Sequence, residues 1–201
     1  MLEARRENRL TYKRLAQRIR VPAGFVIAPL LLIVARPSIN TLLIGAIVAV
    51  AGLATRAWAS GYLMKNQELT TTGPYAHTRN PLYLGTLLLG TGIAISSGTW
   101  WFVAIFMAIY LFIYYPVMLA EADTMRDLFS EEYEHYRRHV PMLVPRLTAY
   151  VKPLKKKVKE PDKASRKRYD RARYMHHREY RAALGALIIY GLLIAKMLLI
   201  K

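Results

Sequence analysis

Cysteine is absent from the chain, which excludes a disulfide framework, a thiolate nucleophile and any Cys-type zinc site. The redox compartment therefore leaves no mark on the sequence. Acidic residues are scarce: 13 Asp and Glu stand against 30 Lys and Arg, a formal net charge of +17 over 201 residues. A soluble domain of that charge would ordinarily be less apolar, yet 54% of the residues are hydrophobic. The two features coexist because they are segregated, apolar runs alternating with basic ones as in a membrane protein. The basic first twenty residues are not followed by a short apolar stretch ending in a small-residue cleavage site, so no cleavable signal peptide is expected.

Five apolar stretches are present: Val21 to Ala35, Ile39 to about Thr55, Leu82 to Ile95, Trp100 to Leu119, and Ala182 to Ile200. A helix needs about 20 apolar residues to cross a bilayer core, and the fourth and fifth meet that length. The first and third are short and must borrow flanking residues or be shielded by neighbours. The expected fold is all-α, an integral membrane bundle of about five transmembrane helices with cytoplasmic amphipathic and basic segments. Cytoplasmic loops retain Lys and Arg. Residues 1–20 hold seven, 56–81 three and 121–182 seventeen, whereas 36–38 and 96–99 hold one between them. The amino terminus is thus expected inside and Lys201 outside, with all 13 acidic residues on the inner side. Three parts are expected: a basic amphipathic arm over 1–20, a membrane core over 21–145, and a basic interfacial segment with the fifth span over 146–201.

Two stretches carry the chemistry. In Leu69 to Gly85, LTTTGPYAHTRNPLYLG, Gly73-Pro74 marks a turn and Pro81 lets a new helix begin just after Asn80. Arg79 then sits at a helix amino terminus at the membrane surface, where free backbone N–H groups and a guanidinium suit an anion. An ordinary juxtamembrane loop with a snorkelling Arg and interfacial tyrosines reads the same way. In Ala120 to Pro145, Met125, Phe129, Tyr133, Tyr136 and Val140 recur at helical spacing, extending the fourth span as an amphipathic helix. Glu121 and Asp123 lie at the boundary of that span, where a carboxylate is costly unless paired. A pair between Glu121 and Arg79 is the simplest arrangement, and a solvated acidic segment is the alternative.

Together the stretches resemble the isoprenylcysteine carboxyl methyltransferase and phospholipid N-methyltransferase group of integral membrane enzymes. The residues that carry the resemblance are Gly73, Pro74, Tyr75, Arg79, Asn80, Pro81, Tyr83 and Gly85, then Glu121, Phe129, Tyr133, Tyr136, Val140 and Pro141. It covers roughly residues 39–145. Three positions depart from the family pattern: Asn80 where His is common, Ala122 in place of a second Glu, and Ser130 in place of Gly. The resemblance implies S-adenosylmethionine in a cytoplasmic pocket and a lipid substrate entering laterally between helices. Gln67, Glu68 and Leu69 would lie along the adenosine, with Gly73 and Tyr83 in the same cofactor set. Tyr75, His77, Arg79 and Asn80 would hold the amino-acid end, and Glu121 would complete the pocket. Arg79 and Glu121 are the catalytic candidates: Arg79 could instead orient a substrate carboxylate, and Glu121 could deprotonate an amine or pair with the cofactor's ammonium.

Gly90-Thr91-Gly92 lacks the third Gly of a dinucleotide fingerprint and lies inside an apolar span, so close helix packing is the better reading, there and at Gly85. The basic stretch over 151–181 is expected to attract anionic lipid headgroups rather than nucleic acid. Adjacent His176 and His177 do not share a helix face, so no metal site is expected. Two rival functions are an NADPH-dependent membrane reductase and a non-catalytic membrane adaptor.

Overall fold

A computed structural model describes residues 27–64, 68–151 and 168–199. The arm over 1–20 and most of the basic stretch, 152–167, lie outside the described residues. Among those described, regular structure is entirely helical: α1 over residues 27–34, α2 Ile39–Tyr62, a short 3₁₀ turn Gly73–Ala76, α3 Pro81–Ser96, α4 Trp100–His139, α5 Arg171–His176 and α6 Tyr180–Leu199. α2, α4 and α6 are long and apolar enough to cross a membrane, and α3 is a shorter apolar helix of 16 residues. The all-α membrane bundle expected from hydropathy is therefore the fold.

One boundary differs from hydropathy. α2 runs to Tyr62, so Arg56 lies within the helix rather than in the following loop. α4 carries the fourth apolar run on into the amphipathic stretch, as the helical spacing predicts, for 40 residues in all. Pro116 lies inside it, and Ser130 takes φ 39°, ψ −116°, a kink in the amphipathic half.

The chain divides into two compact units: residues 1–50, 87–123 and 185–201 form the first, and 51–86 and 124–184 the second. In the first unit, Leu31, Ala35, Leu42, Ala94, Phe102 and Leu193 make a buried cluster. Gly92 leaves room for the Gly45 carbonyl and the Ala49 backbone, where a methyl group would clash, so the small residues here serve helix packing. The α1–α2 connection is fastened to the α3–α4 turn: Arg36 N–H donates to the Ser97 carbonyl at 2.7 Å and Thr99 Oγ1 to the Val34 carbonyl at 3.2 Å. Ser38 and Thr41 cap α2 reciprocally, each hydroxyl accepting from the other's N–H. Lys196, in the last turn of α6, donates to the carbonyls of Leu32 and Ile33 at 2.6 and 2.8 Å, satisfying the end of α1. Large apolar side chains such as Ile47, Phe112 and Leu187 face outward, as a lipid-facing surface requires.

The second unit holds the amphipathic end of α4. Tyr133, Tyr136 and Val140 are buried and Met125 and Phe129 half-buried, as the helical spacing predicts. On its exposed side Glu134 accepts from Arg126 at 2.7 Å and Arg137 at 2.6 Å, and these hydrogen bonds hold its carboxyl below the usual range. The Arg126 bond spans eight residues and crosses the kink at Ser130.

Candidate functional site

Within the connection from α2 to α3, the turn that leads to Arg79 begins at Gly73, whose φ of 60° favours glycine. A methyl there would also strike the Tyr62 ring. Pro74, Tyr75 and Ala76 follow as a buried 3₁₀ turn, and the His77 and Thr78 N–H groups both donate to the Pro74 carbonyl. Pro81 then opens α3, having no N–H to leave unpaired.

What holds this loop is the segment after α4. Arg79 N–H donates to the Pro141 carbonyl at 2.9 Å, Arg146 N–H to the His77 carbonyl at 2.9 Å, and Tyr150 N–H to the Ala76 carbonyl at 2.9 Å. Side chains of the loop reach the same segment. Thr78 Oγ1 lies 3.1 Å from both the Met142 and Leu143 carbonyls, and Asn80 Nδ2 donates to Met142 at 2.9 Å. His77 Nδ1 donates to the Arg146 carbonyl at 2.9 Å. Residues 141–150 thus run beside 76–80 and satisfy a loop that forms no strand. α4 adds a further tie, from the Tyr136 hydroxyl to the Tyr75 carbonyl at 2.6 Å. Burial pushes the Tyr136 phenol well above its ordinary range, so it stays a protonated donor.

Among the described residues of the loop, Arg79 is left with an unsatisfied side-chain nitrogen. Its Nη1 donates to the Tyr133 hydroxyl at 3.1 Å, while its Nε is buried with no hydrogen-bond partner among the described residues. A buried guanidinium N–H left unpaired is costly, by roughly 1–3 kcal/mol or more. A carboxylate or phosphate beside Arg79 would remove that cost, since a planar guanidinium matches two oxygens at once. The residues present fit the anionic end of a small ligand.

The other expected site residues fall as follows. Tyr75 and Leu69 are buried, and Glu68, Tyr83, His77 and Asn80 half-buried, all in the second unit with Arg79. The side-chain bonds of His77 and Asn80 run to the carbonyls of Arg146 and Met142, so both help build the scaffold. Gln67 lies outside the described residues. Glu121 is half-buried on α4 and belongs to the first unit. Asn80, a departure from the family pattern, supplies a side-chain donor that its position uses. Among the described residues no group of three or more His, Asp or Glu is disposed to hold a metal ion.

Sequence reasoning did not name Tyr133 as the partner of Arg79, although helical spacing had set it on the buried face of α4. It also missed Arg56, whose guanidinium pairs with Glu179 at 2.7 Å and bonds to the Thr86 hydroxyl. The signal was available: a lone Arg directly after an apolar run invites a search for its partner.

No solved structure matches the chain significantly. It is 30% identical over 112 residues to the nickel-cobalt-cadmium resistance protein NccN of Alcaligenes xylosoxydans xylosoxydans, covering 54% of this chain and 50% of that one. It is 33% identical over 143 residues to the cobalt-zinc-cadmium resistance protein CzcN of Cupriavidus metallidurans, covering 65% and 63%. The chain therefore spans between half and two thirds of the length of these relatives. The phospholipid methyltransferase family model matches residues 27–132, just over half of the chain, and takes in α2, α3, the Gly73–Asn80 loop and most of α4. A match laid over the very elements that build the loop makes this chain a member of the phospholipid methyltransferase family.

Proposed function

We propose that the chain is an S-adenosylmethionine-dependent methyltransferase acting, at the cytoplasmic membrane face, on a small lipid or lipid-linked carboxylate or amine. The observation that supports it most is Arg79, a half-buried side chain whose buried Nε is unmatched, in the loop the family shares. When bound, S-adenosylmethionine would supply a methyl group whose carbon the acceptor's oxygen or nitrogen attacks in line as the C–S bond breaks and the neutral thioether leaves. Such a reaction asks the protein chiefly to position two reactants and exclude water. Arg79, steadied by Tyr133, holds a carboxylate, the cofactor's own or a substrate's. The backbone of 73–80, fixed by residues 141–150, keeps that guanidinium from following thermal motion of the loop. By the resemblance Gln67, Glu68, Leu69, Gly73, Tyr75, His77, Asn80 and Tyr83 complete the cofactor's surroundings. Glu121 pairs with an ammonium or takes the proton that an amine acceptor releases. Basic residues of 151–181 draw anionic headgroups to the same membrane face.

Calorimetry on the full chain in lipid nanodiscs tests this. The wild type is expected to bind S-adenosylmethionine or its demethylated product. Arg79→Ala should weaken binding by about 100-fold, in keeping with loss of a two-point charged contact. Arg79→Lys should restore only part of it, because an ammonium is a point charge without the planar fork. Glu121→Ala should remove turnover. Absence of binding to the wild type would overturn the reading, and thermal protection by NADPH instead would favour a reductase.

A further inference from the structure

The family match ends at residue 132, yet residues 169–179 are built into the second unit beside the Arg79 loop. They reach it at two places. At the Gly73 end, Asp170 N–H donates to the Gly61 carbonyl at 3.0 Å and the Tyr169 ring lies where a Gly61 side chain would be. Tyr169 meets Tyr62 edge to face, with ring centroids 6.3 Å apart. Tyr62 is in turn the ring against which Gly73 is packed. At the α3 end, Glu179 takes two bonds from Arg56, from Nε at 2.9 Å and Nη2 at 2.7 Å. The remaining nitrogen of that guanidinium bonds to the Thr86 hydroxyl and faces the Leu82 carbonyl at 3.4 Å. Leu82 and Thr86 are in the first turns of α3, directly after Arg79, Asn80 and Pro81. Gly85 lets Arg56 pass this close, since a methyl there would meet the Arg56 side chain and the Gly52 carbonyl.

The ion pair is largely withdrawn from water, with 21% of the Arg56 side chain and 13% of the Glu179 side chain exposed. Removing one partner of such a pair strands the other, which costs far more than breaking a surface bridge. With Glu179 neutral, Arg56 has reason to leave Thr86 and Leu82 for water. The first turn of α3, and the loop that hangs from it, would then lose a fixed end.

We infer that Tyr169 and Glu179 are positioning residues for the anion-holding loop, acting through Tyr62 and Arg56 on its two ends. The C-terminal segment is then part of the working site and not only a lead into the last membrane helix. This rests on the proposed role of Arg79 for its functional meaning, but its structural half is testable without any cofactor.

Hydrogen–deuterium exchange on the full chain in nanodiscs, free of ligand, reads it. Glu179→Gln keeps the size of the side chain, and Tyr169→Ala removes the ring. Each should speed exchange over residues 73–80 by about tenfold, the size expected for loss of one charged bond or one ring contact. Exchange over 185–199 should stay at the wild-type rate, and Tyr169→Phe should behave as wild type. Unchanged exchange over 73–80 in both variants would overturn the inference. So would a uniform rise along the whole chain, which would mark the contacts as general fold support. In parallel, both variants should raise the KM for S-adenosylmethionine about tenfold, while kcat stays within about twofold. If loop exchange responds but the wild type binds no S-adenosylmethionine, the coupling stands and the methyltransferase reading falls. A normal KM in variants whose loop exchange is raised would overturn the positioning role.

Discussion

Ser130 has φ 39°, a backbone region that favours glycine, and it stands where the family pattern places glycine. A non-Gly residue held there costs on the order of 1 kcal/mol or more. Ser130→Gly should therefore stabilise the protein by about 1 kcal/mol, read as a rise in the thermal midpoint in nanodiscs. An unchanged or lowered midpoint would show that the serine is not strained. The Tyr136 hydroxyl makes the opposite case. It is a buried donor to the Tyr75 carbonyl at 2.6 Å, and Tyr136→Phe leaves that carbonyl without it. A loss of about 1–3 kcal/mol is expected in the same measurement. Both side chains lie on α4, and their periodicity foretold which was buried. What each one bonds to was not readable, because Tyr75 is 61 residues away and spacing says nothing about partners so remote.

At the scale of helices, hydropathy located the apolar runs but misjudged where one of them stops. It ended the second run near Thr55 because Arg56 is charged, whereas the helix carries that charge inward to Glu179. An ionisable group inside an apolar helix is tolerated once it has a partner, and the partner was hidden 123 residues downstream. Lys196 repeats the lesson near the far end of the chain. A lysine in the last turn of a membrane helix reads as a snorkelling side chain, yet its ammonium closes the end of α1 through two carbonyls. Lys196→Met keeps the length and deletes the donor. The α1 terminus should then fray, with faster exchange over 31–36 and a stability loss of about 1.5–3 kcal/mol, the range for a charged hydrogen bond. No change in exchange there would mean that water replaces the lysine at little cost.

Over the molecule as a whole, the alternation of apolar and basic runs carried the fold class, and the Gly73–Gly85 and Glu121–Pro141 patterns carried the family. The orientation in the membrane rests on charge bias alone and is open to direct measurement. The native chain has no cysteine, so single introduced thiols report without background. Asn40→Cys, at the start of α2, should react with a membrane-impermeant maleimide on intact cells, and Thr148→Cys only after permeabilisation. The reverse pattern would invert the topology and move the site to the outer face.

The ten residues from Pro141 to Tyr150 meet the loop with main-chain atoms at nearly every point: the carbonyls of Pro141, Met142, Leu143 and Arg146, and the N–H groups of Arg146 and Tyr150. Carbonyls and amides are the same in every amino acid but proline. Evolution is then free to rewrite the letters of this stretch while its spacing is held, so relatives should vary there in identity and hardly at all in length. Single replacements at Met142 or Leu143 should be mild, and removal of one residue between them should unseat everything downstream by a whole peptide unit.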